Sequence, residues 1–411
     1  MAPVCYLPWK VKGKSMSIPR ATEAATIAEL RARARARLPQ AVFDFIDGAA
    51  DDELTMGWNV ADFDALEWRP RVLTDVSKRD SSAMILGARS NLPLIVAPTG
   101  LASLAWARAD VLLAQAASAA GVPFTISTSS SVRMEDIRRG APDARLWFQV
   151  YLYKDRDLVR SLVARARAIG CDSLVITVDV PLLGRRLRDH RNRFTVPLRP
   201  TSRLLLDLLR CPRWTAHILG NGVPRMQNFV DGKRPSSVAS LAALMTSNMD
   251  ASVTWDAIAT LRDEWPGRLV LKGILHEADA QQAVACGIDG IVVSNHGGRQ
   301  MDSVTSTIHA LPEVVSAVAG RAEVFIDGGV RRGSDIAKAL ALGATAVMVG
   351  RAGLYGVGAG GRLGADRAFA ILAEELDRCL ALLGCSAGRQ LDPAWLRHRE
   401  GTGANLPWKV L

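Results

Sequence analysis

The sequence predicts an α/β fold: a single (β/α)8 TIM barrel with an N-terminal helical extension and a long insertion after strand 4. Three observations predict it. Eight short apolar runs recur between residues 94 and 349. Helix-like stretches separate most of them, and most runs end in glycine or a polar residue. Strands apolar on both faces, with helices between, build a parallel sheet, and eight of them close it. An open doubly wound sheet is the alternative. It calls for a glycine-rich turn after its first strand, and Pro98-Thr99-Gly100-Leu101 is not that fingerprint.

The expected strands are 94–97, 124–127, 146–150, 173–178, 269–272, 290–294, 324–326 and 346–349. Expected helices include 107–120, 158–168, 278–286 and 334–342. Residues 1–27 read as a tail. Met16 follows a short basic lead, so 1–15 is either a tail or an over-extended start. Residues 28–90, opening with a basic helix at 28–37, read as a helical cap on the bottom or top of a barrel at 91–384. Residues 385–411 read as a C-terminal tail. Gly356-x-Gly358-x-Gly360-Gly361 lacks the strand context of a dinucleotide loop and reads as a flexible turn.

With 411 residues, 49% of them hydrophobic, the chain can fill a large core. No apolar run reaches the ~18 residues of a membrane-spanning helix, and the first twenty residues show no secretory signal. Six cysteines are scattered without a C-x-x-C pair, which fits a reducing cytoplasm and argues against a metal knuckle. A net charge of +10 suggests an anionic partner: nucleic acid, a membrane surface or acidic small molecules. The lack of a basic repeat or an aromatic stacking platform argues against nucleic acid.

Residues 188–250 separate strands four and five by far more than a usual loop. Between Arg191 and Arg234 there are nine Lys/Arg against two acids, Asp207 and Asp231, around Leu204-Leu205-Leu206, Leu208-Leu209, Trp214, Ile218 and Leu219. Basic residues flanking leucine clusters suit a peripheral membrane contact through 191–234. A basic loop packed on the barrel or in an oligomer interface is the other reading.

Active sites of such barrels form at the carboxyl ends of the strands. Read in order, those ends give Thr99 and Gly100, then Ser127, Gln149 with Tyr151, and Thr177 with Asp179 followed by Gly184-Arg185-Arg186. Lys272, then His296 and Arg299, then Asp327-Gly328-Gly329-Val330-Arg331, and last Gly350-Arg351, complete the rim. Singly each is weak: a strand-end lysine is usually solvated and an Asp-Gly-Gly usually a turn. Together they gather hydrogen-bonding groups on one rim, which stability does not require. The last two ends suit a phosphate, with glycines allowing close backbone approach and Arg331 and Arg351 clamping charge.

Ser294-Asn295-His296-Gly297-Gly298-Arg299-Gln300 resembles the active-site signature of the FMN-dependent 2-hydroxy acid dehydrogenase and oxidase family. The resemblance runs from about residue 28 to 384. It includes Phe148-Gln149-Val150-Tyr151, Thr177-Val178-Asp179-Val180-Pro181, Lys272-Gly273 and Asp327-Gly328-Gly329-Val330-Arg331-Arg332-Gly333. The insertion, with Pro212-Arg213-Trp214 and Asn228-Phe229, is most similar to the mandelate dehydrogenase branch, whose corresponding segment attaches to membranes.

The resemblance implies FMN as cofactor. It places the phosphate near Arg331, Gly350 and Arg351, and the ring near Thr99, Gly100, Ser127, Gln149 and Thr177. Lys272 would lie by N1 and C2=O, and Ser294, Asp327 and Gly329 also belong to the cofactor set. It implies His296 as general base, Asp179 as its partner, Arg186 and Arg299 as holders of the substrate carboxylate, and Tyr151 as donor to substrate oxygens. Electrons would pass to a quinone, another carrier or oxygen. A homo-oligomer, by family resemblance a tetramer, is expected, in the cytoplasm or on the inner face of the cell membrane.

One position departs from the family. Phe43-Asp44-Phe45 places Phe45 where many members carry a carboxylate-binding tyrosine. A lost hydrogen bond to a charged group costs about 1.5–3 kcal/mol. An apolar ring there favours a bulky or aromatic (S)-2-hydroxy acid, mandelate-like, over glycolate, and Ser129 and Gly100 leave further room. An L-lactate dehydrogenase or an oxygen-using oxidase is the near alternative. A non-redox FMN-barrel isomerase would not need His296, Arg299 and Arg186 together, and a basic binding protein would need no such rim.

Overall fold

Eight parallel strands close on themselves in a computed structural model that describes residues 20–193, 202–229 and 248–399. They are β1 (Leu94–Val96), β2 (Phe124–Ile126), β3 (Leu146–Tyr151), β4 (Ser173–Thr177), β5 (Arg268–Ile274), β6 (Gly290–Val293), β7 (Glu323–Ile326) and β8 (Ala346–Val349). β8 pairs with β1 through Val347↔Leu94, Met348↔Ile95 and Val349↔Val96, which shuts the ring. Every expected strand is present, each with ends within a few residues of the expected ones. The expectations for residues 1–15 and for the parts of the insertion at 194–201 and 230–247 fall outside the described residues.

β-Branched and large apolar side chains fill both sides of the ring. Ile95, Trp147, Val175, Val270, Val292, Phe325 and Met348 pack inside it. Gly290 is small because a Cβ there would come within 2.8 Å of the Phe325 ring. The 28–90 segment caps both ends of the barrel. At the bottom, a hairpin of Ala83–Ile85 and Ala88–Ser90 pushes Ile85 and Leu86 into the interior cluster. At the top, α2 (Gln40–Asp47) and α3 (Leu54–Asp64) reach the strand ends through Phe45, Ile46 and Asn59, and α1 (Ile27–Arg37) bonds α2 through Arg31 and Asp47. Thr26 caps α1 by accepting from Glu29 N, and Asp302 caps α3 from across the molecule by accepting from Leu54 N and Thr55 N.

Three expectations are corrected. Residues 21–27 are not a tail: Ala21–Glu23 forms a short 3-10 helix, and Ala21, Ala24 and Ile27 are buried. Residues 385–399 are not a tail: Leu396–His398 pairs antiparallel with Leu66–Trp68, and Trp395 and Cys385 are buried. The glycine run at 356–361 is a turn only at its end. Gly356 and Gly358 lie in a helix that starts at Arg351, and Gly360 and Gly361, with non-helical backbone, join it to a second helix that runs to Leu383. A Cβ on Gly356 would lie 2.5 Å from Gly364 O, and one on Gly358 would lie 3.3 Å from Ala34 Cβ of α1. The glycines serve close backbone packing, a long-range demand with no local periodicity.

In the insertion, α4 (Leu187–Arg191) leads into an undescribed stretch, then α5 (Ser202–Arg210) and α6 (Pro212–Asn221). α6 is docked on the loop after β1: Trp214 Nε1 donates to Leu104 O at 2.8 Å, and His217 Nε2 accepts from Ala107 N. Among the described residues, no helix is long and apolar enough to cross a membrane.

Candidate active site

All eight strand ends contribute to one cavity of about 420 Å³ at the top of the barrel, within the range of small-molecule sites. Thr99, Gly100, Ser127, Gln149, Tyr151, Thr177, Lys272, His296, Asp327, Gly329, Arg331, Gly350 and Arg351 line it, joined by Phe45, Arg186 and Arg299. Asp179 and Ser294 stand just behind this wall and hold lining residues in place.

The backbone after β6 explains the His-Gly-Gly sequence. His296, Gly297 and Gly298 all have positive φ, at 58°, 64° and 74°. A Cβ on Gly297 would come within 2.8 Å of Arg351 Nη1, and one on Gly298 within 2.8 Å of Met56 N. Only this tight left-handed turn lets the imidazole face the cavity while α3 closes over it. His296 N donates to Ser294 Oγ at 3.0 Å, and Lys272 Nζ donates to the same oxygen at 2.7 Å.

His296 Nδ1 is 2.9 Å from Asp179 Oδ1. Paired this way, Nδ1 carries the ring proton and Nε2 is left to accept one. Burial pushes the Asp179 carboxyl up, but His296 and the Lys272 charge outweigh it and hold it below its ordinary range. It therefore stays ionised and stabilises a protonated imidazole.

Lys272 is nearly sealed from solvent and lies 2.9 Å from Asp327 Oδ2. Burial would lower it, yet Asp327 and Asp179 keep it above the ordinary lysine value. Burial, then the Asp179 charge, raises Tyr151 to about 12, so its phenol remains an O–H donor.

Arg299 is the reverse case. Burial and then the Arg186 and Arg351 charges hold it well below the ordinary guanidinium value. Its Nη1 donates to Phe45 O at 2.8 Å and Gly48 O at 2.9 Å, and it forms no ion pair among the described residues. Among the described residues, Arg186 has one ion-pair partner, Asp189 at 3.5 Å, and its Nε is buried without an acceptor. The Phe45 ring lies 5.3 Å from the Arg299 Cζ and 6.0 Å from that of Arg186. Two under-compensated guanidinium groups at one end of a cavity make a carboxylate site.

Arg331 and Arg351, expected together at a phosphate, are differently engaged. Arg331 donates to Val330 O and lies 5.9 Å from the Tyr355 ring. Arg351 donates to Ile46 O, Gly297 O and Gly48 O, so much of its fork ties the end of α2 to the His296 turn. Gly329 has φ 85°, and a Cβ there would lie 1.9 Å from Asn59 O.

Several residues were not found from sequence. Leu183, Asp189, Met226 and Met249 line the cavity. Asp189 had a signal, an acid three residues after Arg186 on a helix. The methionines had none. Asn59 and Asn295 exchange amide hydrogen bonds at 2.9 and 2.8 Å and pin α3 to the β6 loop. Asp47 binds Arg31, Arg188 and Tyr355.

The wall also holds buried polar atoms that no group among the described residues satisfies: Gln149 Nε2, Thr177 Oγ1 and Asp327 Oδ1. Unpaired buried donors and acceptors cost about 1–3 kcal/mol each. They fit a flat, heteroatom-rich ring lying over the strand ends, and the Gly329 approach and Arg331 fit its anionic tail. The fold and site define a cofactor-binding (β/α)8 barrel equipped for acid–base chemistry on a carboxylate. The sequence model described as FMN-dependent dehydrogenase matches residues 34–398, and the chain belongs to that family. It is 42% identical to (S)-mandelate dehydrogenase of Pseudomonas putida over 381 residues, covering 93% of this chain and 95% of that one. It is 40% identical to an L-lactate oxidase of Nostoc sp., covering 88% and 95%. The crystal structure of a monotopic membrane protein, (S)-mandelate dehydrogenase, superposes with a TM-score of 0.89 at 41% identity, covering 92% of this chain and 100% of that one.

Proposed function

We propose that this enzyme oxidises an (S)-2-hydroxy acid with a bulky or aromatic side chain to the 2-oxo acid and passes the electrons to a quinone or another carrier. One observation carries the reading: His296, held by Asp179 from behind the wall, shares a cavity with Arg186, Arg299 and Lys272. FMN, when bound, supplies the two-electron acceptor. Thr99, Gly100, Ser127, Gln149 and Thr177 would hold its ring, Ser294 and Asp327 would brace Lys272 beside it, and Gly329, Arg331, Gly350 and Arg351 its phosphate end.

Arg186 and Arg299 take the substrate carboxylate, and Tyr151 donates to a substrate oxygen. His296 Nε2 takes a proton from the hydroxy acid, and Asp179 stabilises the resulting cation. Phe45 supplies an apolar wall between the two arginines. Leu183, Met226 and Met249 extend that wall and favour an aromatic group.

In the described part of the insertion Leu206, Leu209 and Leu219 are exposed, and so are Arg210, Arg213 and Arg225, which supports a peripheral membrane contact. Anaerobic mixing with a panel of short aliphatic and aromatic 2-hydroxy acids tests the function. Bleaching of the bound flavin, fastest with mandelate-like acids, is the expected result. No bleaching across the panel would leave the redox reading without support, and peroxide release under air would mark an oxidase.

A further inference from the structure

α4 brings an acid to the guanidinium end of the cavity. Arg186 stands at the start of this helix and Asp189 lies one turn on, so the two side chains share a face. Asp189 Oδ2 is 3.5 Å from Arg186 Nη1, and both residues line the cavity. A charge-assisted hydrogen bond is usually about 2.7–2.9 Å long. The contact is thus an ion pair without a close hydrogen bond, and among the described residues neither partner makes another.

The neighbouring acid is held differently. Asp44 of α2 accepts from Gln40 Nε2 at 2.8 Å and from Asn192 Nδ2 at 2.7 Å. Asp189 has no such pair of donors among the described residues. Burial raises its carboxyl, and the Arg186 and Arg299 charges, opposed by Asp44, do not bring it back to its ordinary range. Arg186 and Arg299 repel each other, and one acid near both offsets part of that repulsion while no ligand is bound. A carboxylate arriving at the same two guanidinium groups meets Asp189 as a like charge. Two buried arginines without an acid would hold substrate and product alike, because the 2-oxo acid carries the same carboxylate as the hydroxy acid.

We propose that Asp189 is a built-in competitor for the substrate carboxylate: it holds Arg186 while the cavity is empty, yields it when the ligand binds, and so limits how tightly acid and oxo acid are held. The inference rests on the carboxylate site proposed above and deepens it. Its sign is distinctive. Removing the Asp189 charge tightens the binding of an anion, whereas removing a mere brace of α4 would loosen it.

The test is titration of the FMN-loaded full chain with phenylglyoxylate and with its uncharged amide, neither of which can reduce the flavin, followed in the visible flavin spectrum. Asp189→Asn should bind phenylglyoxylate about tenfold more tightly than wild type, the scale on which one neighbouring charge shifts an ionic equilibrium. Its affinity for the amide should match that of wild type. Asp189→Ser should do the same, because charge rather than shape is removed, and Asp189→Glu should stay near wild type. Equal or weaker binding of phenylglyoxylate by the neutral variants would overturn the proposal while leaving the carboxylate site standing. Weaker binding of both ligands would make Asp189 a brace for α4 and overturn it equally. Wild type that binds the amide but not phenylglyoxylate would remove the carboxylate site itself, and the competitor with it.

Discussion

Lys272 Nζ on β5 and Asp327 Oδ2 just after β7 lie 2.9 Å apart in the barrel mouth, and Ser294 at the end of β6 bonds the same ammonium at 2.7 Å. Three adjacent strand ends are thus joined by one buried charge. Both partners are almost wholly out of water, so removing one leaves the other exposed to the full cost of burial.

Lys272→Met should therefore destabilise the fold by about 3–5 kcal/mol. Lys272→Met/Asp327→Leu should recover part of it, since no lone carboxylate remains. Chemical denaturation of the two variants checks this, and equal stability would show that the pair is not coupled. The single variant should also lower the reduction potential of the bound flavin, read by redox titration.

His296→Ala should retain FMN and lose turnover at least about a hundredfold, the usual contribution of a positioned base. Steady-state rates with flavin-normalised enzyme provide the measurement. More than roughly a tenth of wild-type activity would contradict the assigned role.

Phe45→Tyr would add a hydroxyl beside Arg186 and Arg299. One new hydrogen bond to a charged group corresponds to about tenfold or more. The expected outcome is a rise of that order in kcat/KM for glycolate or lactate relative to mandelate. An unchanged ratio would show that this position does not set the preference.

Asp110 carries a pH dependence of stability. It is fully buried between Ser130 and Ser103, and burial raises it from 3.8 to about 6. Between these values the folded chain holds a proton that the unfolded chain has lost. Stability from this group is complete below the unfolded value and falls as pH rises through the folded one. Relative to wild type, Asp110→Asn should gain stability between pH 4 and pH 7, by up to about 3 kcal/mol. Urea denaturation at both pH values measures the difference, and a flat difference would refute the titration.

The eight strands were legible because each is a short run apolar on both faces, and their ends could be read in order as one rim. The lining of the cavity by residues from Thr99 to Arg351 follows from that order alone. Asp179 and Ser294 could be read from the sequence as candidates because they too lie at strand ends, and the fold places them behind the wall. Met226 and Met249 were not found: they come from the insertion, where no strand period fixes a position. Arg351 shows the limit of a motif. The sequence placed it at the rim, and the fold engaged it with carbonyls at 46, 48 and 297.

Local sequence determined the elements of this protein, their order and the chemical groups at each strand end, because hydrophobic period and glycine placement act over a few residues. Tertiary structure alone decided that residues 45–59 close the top of the site and that 83–90 plug the bottom. It also placed Gly356 and Gly358 in a helix, with Gly358 packed on α1, and left the turn to Gly360 and Gly361. Those outcomes depend on contacts between segments hundreds of residues apart, such as Asp47 with Tyr355 and Asn59 with Asn295, and no local pattern encodes such a meeting.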